Sequence, residues 1–182
     1  MNHHRVVSFL SAAVLAVVAG FATPAGAQSA RSDQVGIPRT NLISTNPIAI
    51  IFEWYSGEFE HAINSTFSLA VAGTRFDFDE FNYTAVDGIA RYYPSARAVR
   101  GFSIGGSVGG IRAADDNCTS CEDVEENAFT IGIRGDYIWL LGRDQHFAVA
   151  AGVGAKRLFY SEDNNTGSTA LPIGRLSIGY AW

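Results

Sequence analysis

Beyond residue 36, most of this chain places bulky apolar residues at every second position. The positions between them carry residues that are small or, here and there, charged. Leu176, Ile178, Tyr180 and Trp182 share one parity, and Arg175, Ser177, Gly179 and Ala181 share the other. A β-strand sends successive side chains to opposite faces, so this is a strand with one greasy side. The division recurs at Phe129, Ile131, Ile133, Tyr137 and Trp139 against Thr130, Gly132, Arg134 and Asp136. It recurs at Ile63, Phe67, Leu69 and Val71 against Asn64, Thr66, Ser68, Ala70 and Thr74, and at Phe102, Ile104 and Val108 against Ser103, Gly105, Ser107 and Gly109. Phe147, Val149, Val153 and Phe159 oppose Ala148, Gly152, Gly154 and Lys156, while Ile48, Ile50, Phe52 and Trp54 oppose Ala49, Ile51 and Glu53. Segments 82–93 and 36–44 show it more faintly, and no helical period persists.

A soluble antiparallel sheet also alternates, with its apolar side chains meeting in a core. Its solvent face, however, is rich in Lys, Glu, Gln and Asp, whereas the second face here is mostly Gly, Ala, Ser and Thr. Small residues suit the cramped interior of an eight-stranded barrel. The fold expected is therefore all-β, an eight-stranded antiparallel up-and-down transmembrane β-barrel over residues 36–182. The alternative is a soluble exported barrel of lipocalin type, holding a small apolar ligand.

The N-terminus agrees with export. Arg5 precedes an apolar run from Val6 to Ala22, and the small residues Ala25, Gly26 and Ala27 follow. This is the layout of a secretory signal cleaved after Ala27, leaving 28–35 as a linker. Removing 27 of 182 residues leaves 155, enough for eight strands at about 10 residues each plus connections. The remaining chain carries 12 basic residues (13 less Arg5) against 18 acidic ones, which disfavours binding along a nucleic-acid backbone. After residue 27 no apolar run is long enough for a membrane helix.

Connection lengths suggest an orientation. Turns near 57–61, 94–100 and 141–146 read as brief. Links near 76–82, 112–127 and 161–170 read as longer and more acidic, with 45–47 a short exception. Short periplasmic turns and longer outer loops put both termini in the periplasm. Downward strands would then end in Trp54, Tyr92, Trp139 and Trp182, an inner aromatic girdle, with Phe129, Tyr83 and Phe159 forming a thinner outer one.

With these residues in place, the chain over roughly 36–182 resembles the outer-membrane β-barrel superfamily, including its small OmpA/OmpX-type members. The closing Leu176-Ser177-Ile178-Gly179-Tyr180-Ala181-Trp182 looks like the C-terminal aromatic signal read by the barrel assembly machinery. Family members commonly place glycine where this chain has Ser177. Arg39-Thr40-Asn41-Leu42 is similar to the opening of the first strand in an uncharacterised branch of these barrels. The resemblance implies an outer-membrane location among lipid and lipopolysaccharide. It implies no activity, because the fold hosts adhesins, lipid-modifying enzymes and structural proteins alike.

Charged residues expected inside the barrel are Arg39, Glu53, Asp87, Arg91, Arg134, Asp136, Lys156 and Arg175. A lone charge there would be very costly, so a paired network is expected. It reads either as a plug fixing strand register or as a proton or ion path. Cys118 and Cys121 lie in an acidic outer loop with Asp115, Asp116, Glu122, Asp123, Glu125 and Glu126. That setting opposes a reactive thiolate, leaving a loop-pinning disulfide or free thiols. Acidic residues of the outer loops, Asp77, Asp79, Glu80, Glu162 and Asp163 among them, keep those loops soluble or hold a divalent cation weakly, without EF-hand spacing. His61 and His146 fall at the inner turns, far from an outer-rim hydrolytic site. No catalytic residue, cofactor or metal site is expected, and the barrel is expected to be a monomer.

Overall fold

The computed structural model describes residues 38–78, 81–115, 124–162 and 165–182. The expected signal peptide and linker, together with Cys118 and Cys121, lie outside the described residues. The elements run β1 (Asn41–Thr45), α1 (Pro47–Ile51), β2 (Trp54–Ala62), β3 (Phe67–Phe78), β4 (Phe81–Tyr92), β5 (Gly101–Asp115), β6 (Val124–Leu141), β7 (Phe147–Glu162) and β8 (Asn165–Ala181). Each strand pairs antiparallel with its sequence neighbours, and β1 pairs with β8 to close an eight-stranded up-and-down barrel. Closure gives both edges of the sheet a partner, which an open sheet cannot do.

The alternation sorts the side chains as the sequence implies. Phe67, Leu69, Val71, Ile104, Val108, Phe129, Ile131 and Ile178 are exposed on the outside, and Ile133 is 69% exposed. Between them Ser68, Ala70, Ser103, Ser107, Thr130 and Ser177 are buried inside. One apolar cluster does face inward. Leu42, Tyr93, Val99, Ile138, Ala148, Ala150 and Ala181 fill the end of the barrel nearest the termini. Val99 holds φ at 64°, a conformation costly for a β-branched residue. Ala98 N–H to Ser65 O, 2.8 Å, and Tyr93 N–H to Thr66 O, 2.7 Å, tie the 93–100 turn to the β2–β3 turn beside it.

The first third departs from the sequence reading. Residues 48–53 are not a strand: Asn46 Oδ1 accepts from Ile48 N (3.0 Å) and Ala49 N (3.1 Å), capping the helix α1 with Pro47 in its first turn. Its apolar residues fall on both parities, so Ile48, Ile50 and Phe52 gave only part of a strand pattern. The supposed turn at 57–61 lies within β2. The supposed long links at 76–82 and 161–170 are largely ladder, since β3 runs to Phe78 before β4 opens at Phe81, and β7 runs to Glu162 before β8 opens at Asn165.

The wall is uneven in height. β1 has 5 residues and β6 has 18, so β8 meets β1 only from Ile178 to Ala181. At that seam Gly179 faces Ser44. A Cβ on Gly179 would sit 2.2 Å from Ile43 O and 2.8 Å from Ser44 Cβ. Gly179→Val is therefore expected to cost about 1–3 kcal/mol or more in denaturant unfolding of the detergent-folded barrel. Gly174→Val, on the same strand with nothing within 4 Å of the added carbon, is expected to unfold like the parent.

Candidate functional site: an ion-pair cluster in the lumen

Above the apolar end layer, four strands send charged side chains to one place. β2 supplies Glu58 and Glu60, β4 Arg91, β6 Arg134 and Asp136, and β8 Arg175. Arg91 lies at the centre, its side chain fully buried. Its Nε donates to Asp136 Oδ2 at 3.1 Å, its Nη1 to Glu60 Oε2 at 2.6 Å and its Nη2 to Glu58 Oε1 at 2.7 Å. Glu58 also accepts from Arg134 Nη2 (2.9 Å) and Arg175 Nη2 (2.6 Å). Arg134 Nε donates to Asp136 Oδ2 at 2.7 Å, and Arg175 Nη1 stands 3.8 Å from the same oxygen. Glu60, wholly buried, accepts from Ser68 Oγ at 2.6 Å and from the Tyr93 hydroxyl.

Three carboxylates thus meet three guanidiniums, and the cluster is formally neutral. Each ion leaves water at a cost of several kcal/mol, which short charge-assisted bonds to several partners offset. A second pair lies farther from the termini. Lys156 Nζ donates to both oxygens of Asp87, at 2.8 and 2.7 Å.

Cross-strand partners make room for these long side chains. Arg91 pairs with Gly105, Asp87 with Gly109, Lys156 with Gly132, Arg134 with Gly154, and both Asp136 and Arg175 with Gly152. A Cβ on Gly152 would lie 2.0 Å from Asp136 Oδ1, and one on Gly109 would lie 2.2 Å from Asp87 Oδ1. Glu58 and Glu60 pair with Ala72 and Ala70, the next smallest choice.

Of the eight expected interior charges, Asp87, Arg91, Arg134, Asp136, Lys156 and Arg175 occupy the lumen. Glu53 does not: it is exposed in the turn after α1 with φ at 59°. Arg39 stands at the termini end, where its Nη2 donates to Asp144 O and lies 3.4 Å from His146 Nε2. Sequence reasoning missed Glu58 and Glu60 because it took 57–61 for a turn. The available signal was their spacing of two around Phe59. Within the aromatic girdle, Tyr92, Trp139 and Trp182 lie at the termini end, and Trp182 is near Phe59 (6.2 Å) and Tyr180 (6.1 Å). Trp54 is at the opposite end. It opens β2 across from Phe76, with ring centroids 5.7 Å apart.

Among solved structures the chain is similar to the crystal structure of the N-terminal beta-barrel domain of Pseudomonas aeruginosa OprF. The two are 14% identical, the match covers 79% of this chain and 98% of that one, and the TM-score is 0.48. No family model and no curated protein matches the sequence. The architecture therefore rests on the strand pairing itself.

Because Glu58 joins three arginines, Glu58→Ala leaves one buried positive charge uncompensated. It is expected to lower unfolding free energy by about 3–5 kcal/mol in equilibrium urea titrations. Glu53→Ala, at an exposed turn, is expected to change it by less than about 0.5 kcal/mol. Adding Arg175→Ala to Glu58→Ala is expected to recover part of the loss, since the two side chains are in contact.

Proposed function

We propose that this chain is a small integral outer-membrane β-barrel with a structural or surface-interaction role, no open pore and no catalytic activity. One observation carries the reading: the bulky side chains form the outer face, and the ionic ones are paired within. In water, each exposed Leu, Ile, Val or Phe would forgo roughly 1.5–3 kcal/mol of burial. A belt of them around a whole barrel is favourable only in hydrocarbon. A soluble ligand-binding barrel has the opposite polarity, with its apolar side chains around an internal cavity.

The orientation follows from the family resemblance, with the termini on the periplasmic side and Tyr92, Trp139 and Trp182 at the inner interface. In this reading the signal at 1–27 directs export, and the last strand carries the assembly signal. The barrel acts as a monomer among outer-membrane lipid and lipopolysaccharide, and Cys118 and Cys121 are joined to pin the acidic loop. The ionic cluster serves as a plug that fixes strand register. Three guanidiniums held by six ion pairs of 3.1 Å or less and a seventh at 3.8 Å leave little freedom for a conducting path.

The mature chain is expected to remain with membranes after alkaline extraction and to migrate differently on a gel before and after boiling. In planar bilayers it is expected to give no sustained conductance. Identical migration with and without boiling would contradict the barrel, and long-lived conductance steps would contradict the sealed lumen.

A further inference from the structure

The seam between β8 and β1 is incomplete. On the β7 side of β8, Ala181 N–H donates to His146 O, while on the β1 side Trp182 and Asn41 exchange backbone bonds. Bonded pairs alternate along an antiparallel ladder, so the even-numbered residues of β8 turn their N–H and C=O groups toward β1. That ladder stops where Thr45 meets Ile178, whereas β8 extends back to Asn165. Leu176, Gly174, Ala170 and Ser168 therefore present backbone groups to a gap in the wall. Pro172 belongs to the same set and has no N–H to offer. Proline at an open edge discourages the addition of another strand, so this gap is built to stay unpaired.

α1 takes up the chain where β1 stops. It passes within 8 Å of both β2 and β8, measured between Cα atoms. Its Ile48, Ile50 and Ile51, with the following Phe52, are exposed, and the segment 46–52 carries no charge. A turn of helix bonds within itself, so it can cross a gap in hydrocarbon without a partner strand. It hangs between the Asn46 cap and Glu53, which holds φ at 59°, a costly conformation for a residue with a side chain. Behind the gap, the inward side of the wall is apolar. Ile173 and Leu171 share the parity of Arg175, and Leu171 is 39% exposed despite facing the lumen. Lys156, the cross-strand partner of Leu171, is bound to Asp87 through both carboxylate oxygens.

We infer that the wall opens sideways above Thr45, with α1 as a lid over the gap, and that a small uncharged apolar molecule passes there between the bilayer and the upper lumen. The inference rests on the membrane reading above. An unpaired strand edge is costly in dry hydrocarbon, so the gap is stable only when α1 covers it or water from the lumen reaches it. Those two conditions are the closed and open states of a portal. Leu171 and Ile173 give an apolar molecule a surface to slide along once it is inside. The nearest charges, Lys156 and Asp87, neutralise each other, so the passenger has no open ion to meet and is itself uncharged. The ionic cluster around Arg91 lies between this portal and the termini end, so sideways passage leaves the lumen sealed across the membrane.

The test places one tryptophan at a time in a Trp54→Phe/Trp139→Phe/Trp182→Phe barrel that retains the heat-dependent gel shift, reconstituted in phosphatidylcholine vesicles. Bromododecane, an uncharged apolar quencher, is dissolved in the bilayer. Leu171→Trp, behind the gap, is expected to be quenched to a plateau as the quencher rises, as filling of a confined site requires. Val108→Trp, on the outer face, is expected to be quenched in steady proportion. Tyr83→Trp, on the strand across the lumen, is expected to be quenched little. Asn46→Ala removes the cap of α1 and is expected to raise the open fraction, read as quenching of Leu171→Trp at low quencher, about fivefold. Ionised bromododecanoate is expected to quench Leu171→Trp far less than bromododecane does. The inference is overturned if Leu171→Trp escapes bromododecane, if Tyr83→Trp is quenched equally, if Asn46→Ala changes nothing, or if bromododecanoate quenches as well. Quenching of Val108→Trp with any of these failures removes the portal and keeps the membrane reading. Absence of quenching at Val108→Trp removes both.

Discussion

A charge brought inside a narrow cylinder of strands must find its counter-charge within that cylinder. Here Arg91 meets Glu58, Glu60 and Asp136 together, at 2.6 to 3.1 Å. Such a contact set demands that β2, β4 and β6 be in one register, for a slip of one residue would turn each of these side chains to the opposite face. The cluster also dictates composition. Long ionic side chains gain room where a facing residue has no side chain, and Gly105, Gly109, Gly132, Gly152 and Gly154 stand across from charges. Glycine normally weakens a strand. In this barrel it supplies the volume that the ions occupy.

The lumen is layered along its axis as a consequence. Leu42, Tyr93, Val99 and Ile138 form an apolar layer at the termini end. The six-residue ionic cluster follows, then Asp87 with Lys156, and finally Trp54 against Phe76 near the far end. Tyr93 joins the first two layers, since its hydroxyl donates to Glu60 while its ring packs in the apolar cluster. On the outside the same period of two yields a nearly continuous apolar surface. Interior and exterior are therefore two readings of one alternation, and neither changes without the other.

Much of this was legible in the sequence. From Phe67 onward the alternating positions marked the strands and their outward faces, because period two is a strong signal when one parity is bulky and the other small. The charges on β4 and β6 to β8 were identifiable by parity alone. What was not legible lay in the first third and in the turns. The run Ile48 to Phe52 is apolar on both parities, so its local chemistry decided its shape, and the Asn46 cap with Pro47 made it a helix. That error placed Glu53 in a strand and Trp54 at a strand's end, where it in fact opens β2, and it concealed Glu58 and Glu60 in a supposed turn. Leu42, Tyr93 and Val99 were missed for another reason. Their inward burial depends on how a turn folds back under the barrel, which no periodicity encodes. Arg39 kept its place near the first strand, but short β1 begins beyond it, at Asn41.

The central claim is that the bulky face meets hydrocarbon. It is tested most directly by nitroxide labels at Val71→Cys, Val108→Cys, Ile131→Cys and Ile133→Cys, each in a Cys118→Ser/Cys121→Ser background reconstituted in lipid bilayers. Collision with oxygen, which concentrates in acyl chains, is predicted to be strong at all four sites, and collision with a water-soluble nickel chelate is predicted to be weak. Strong collision with the nickel chelate would place these side chains in water, and protection from both reagents would place them in a protein core. Either result would contradict the account.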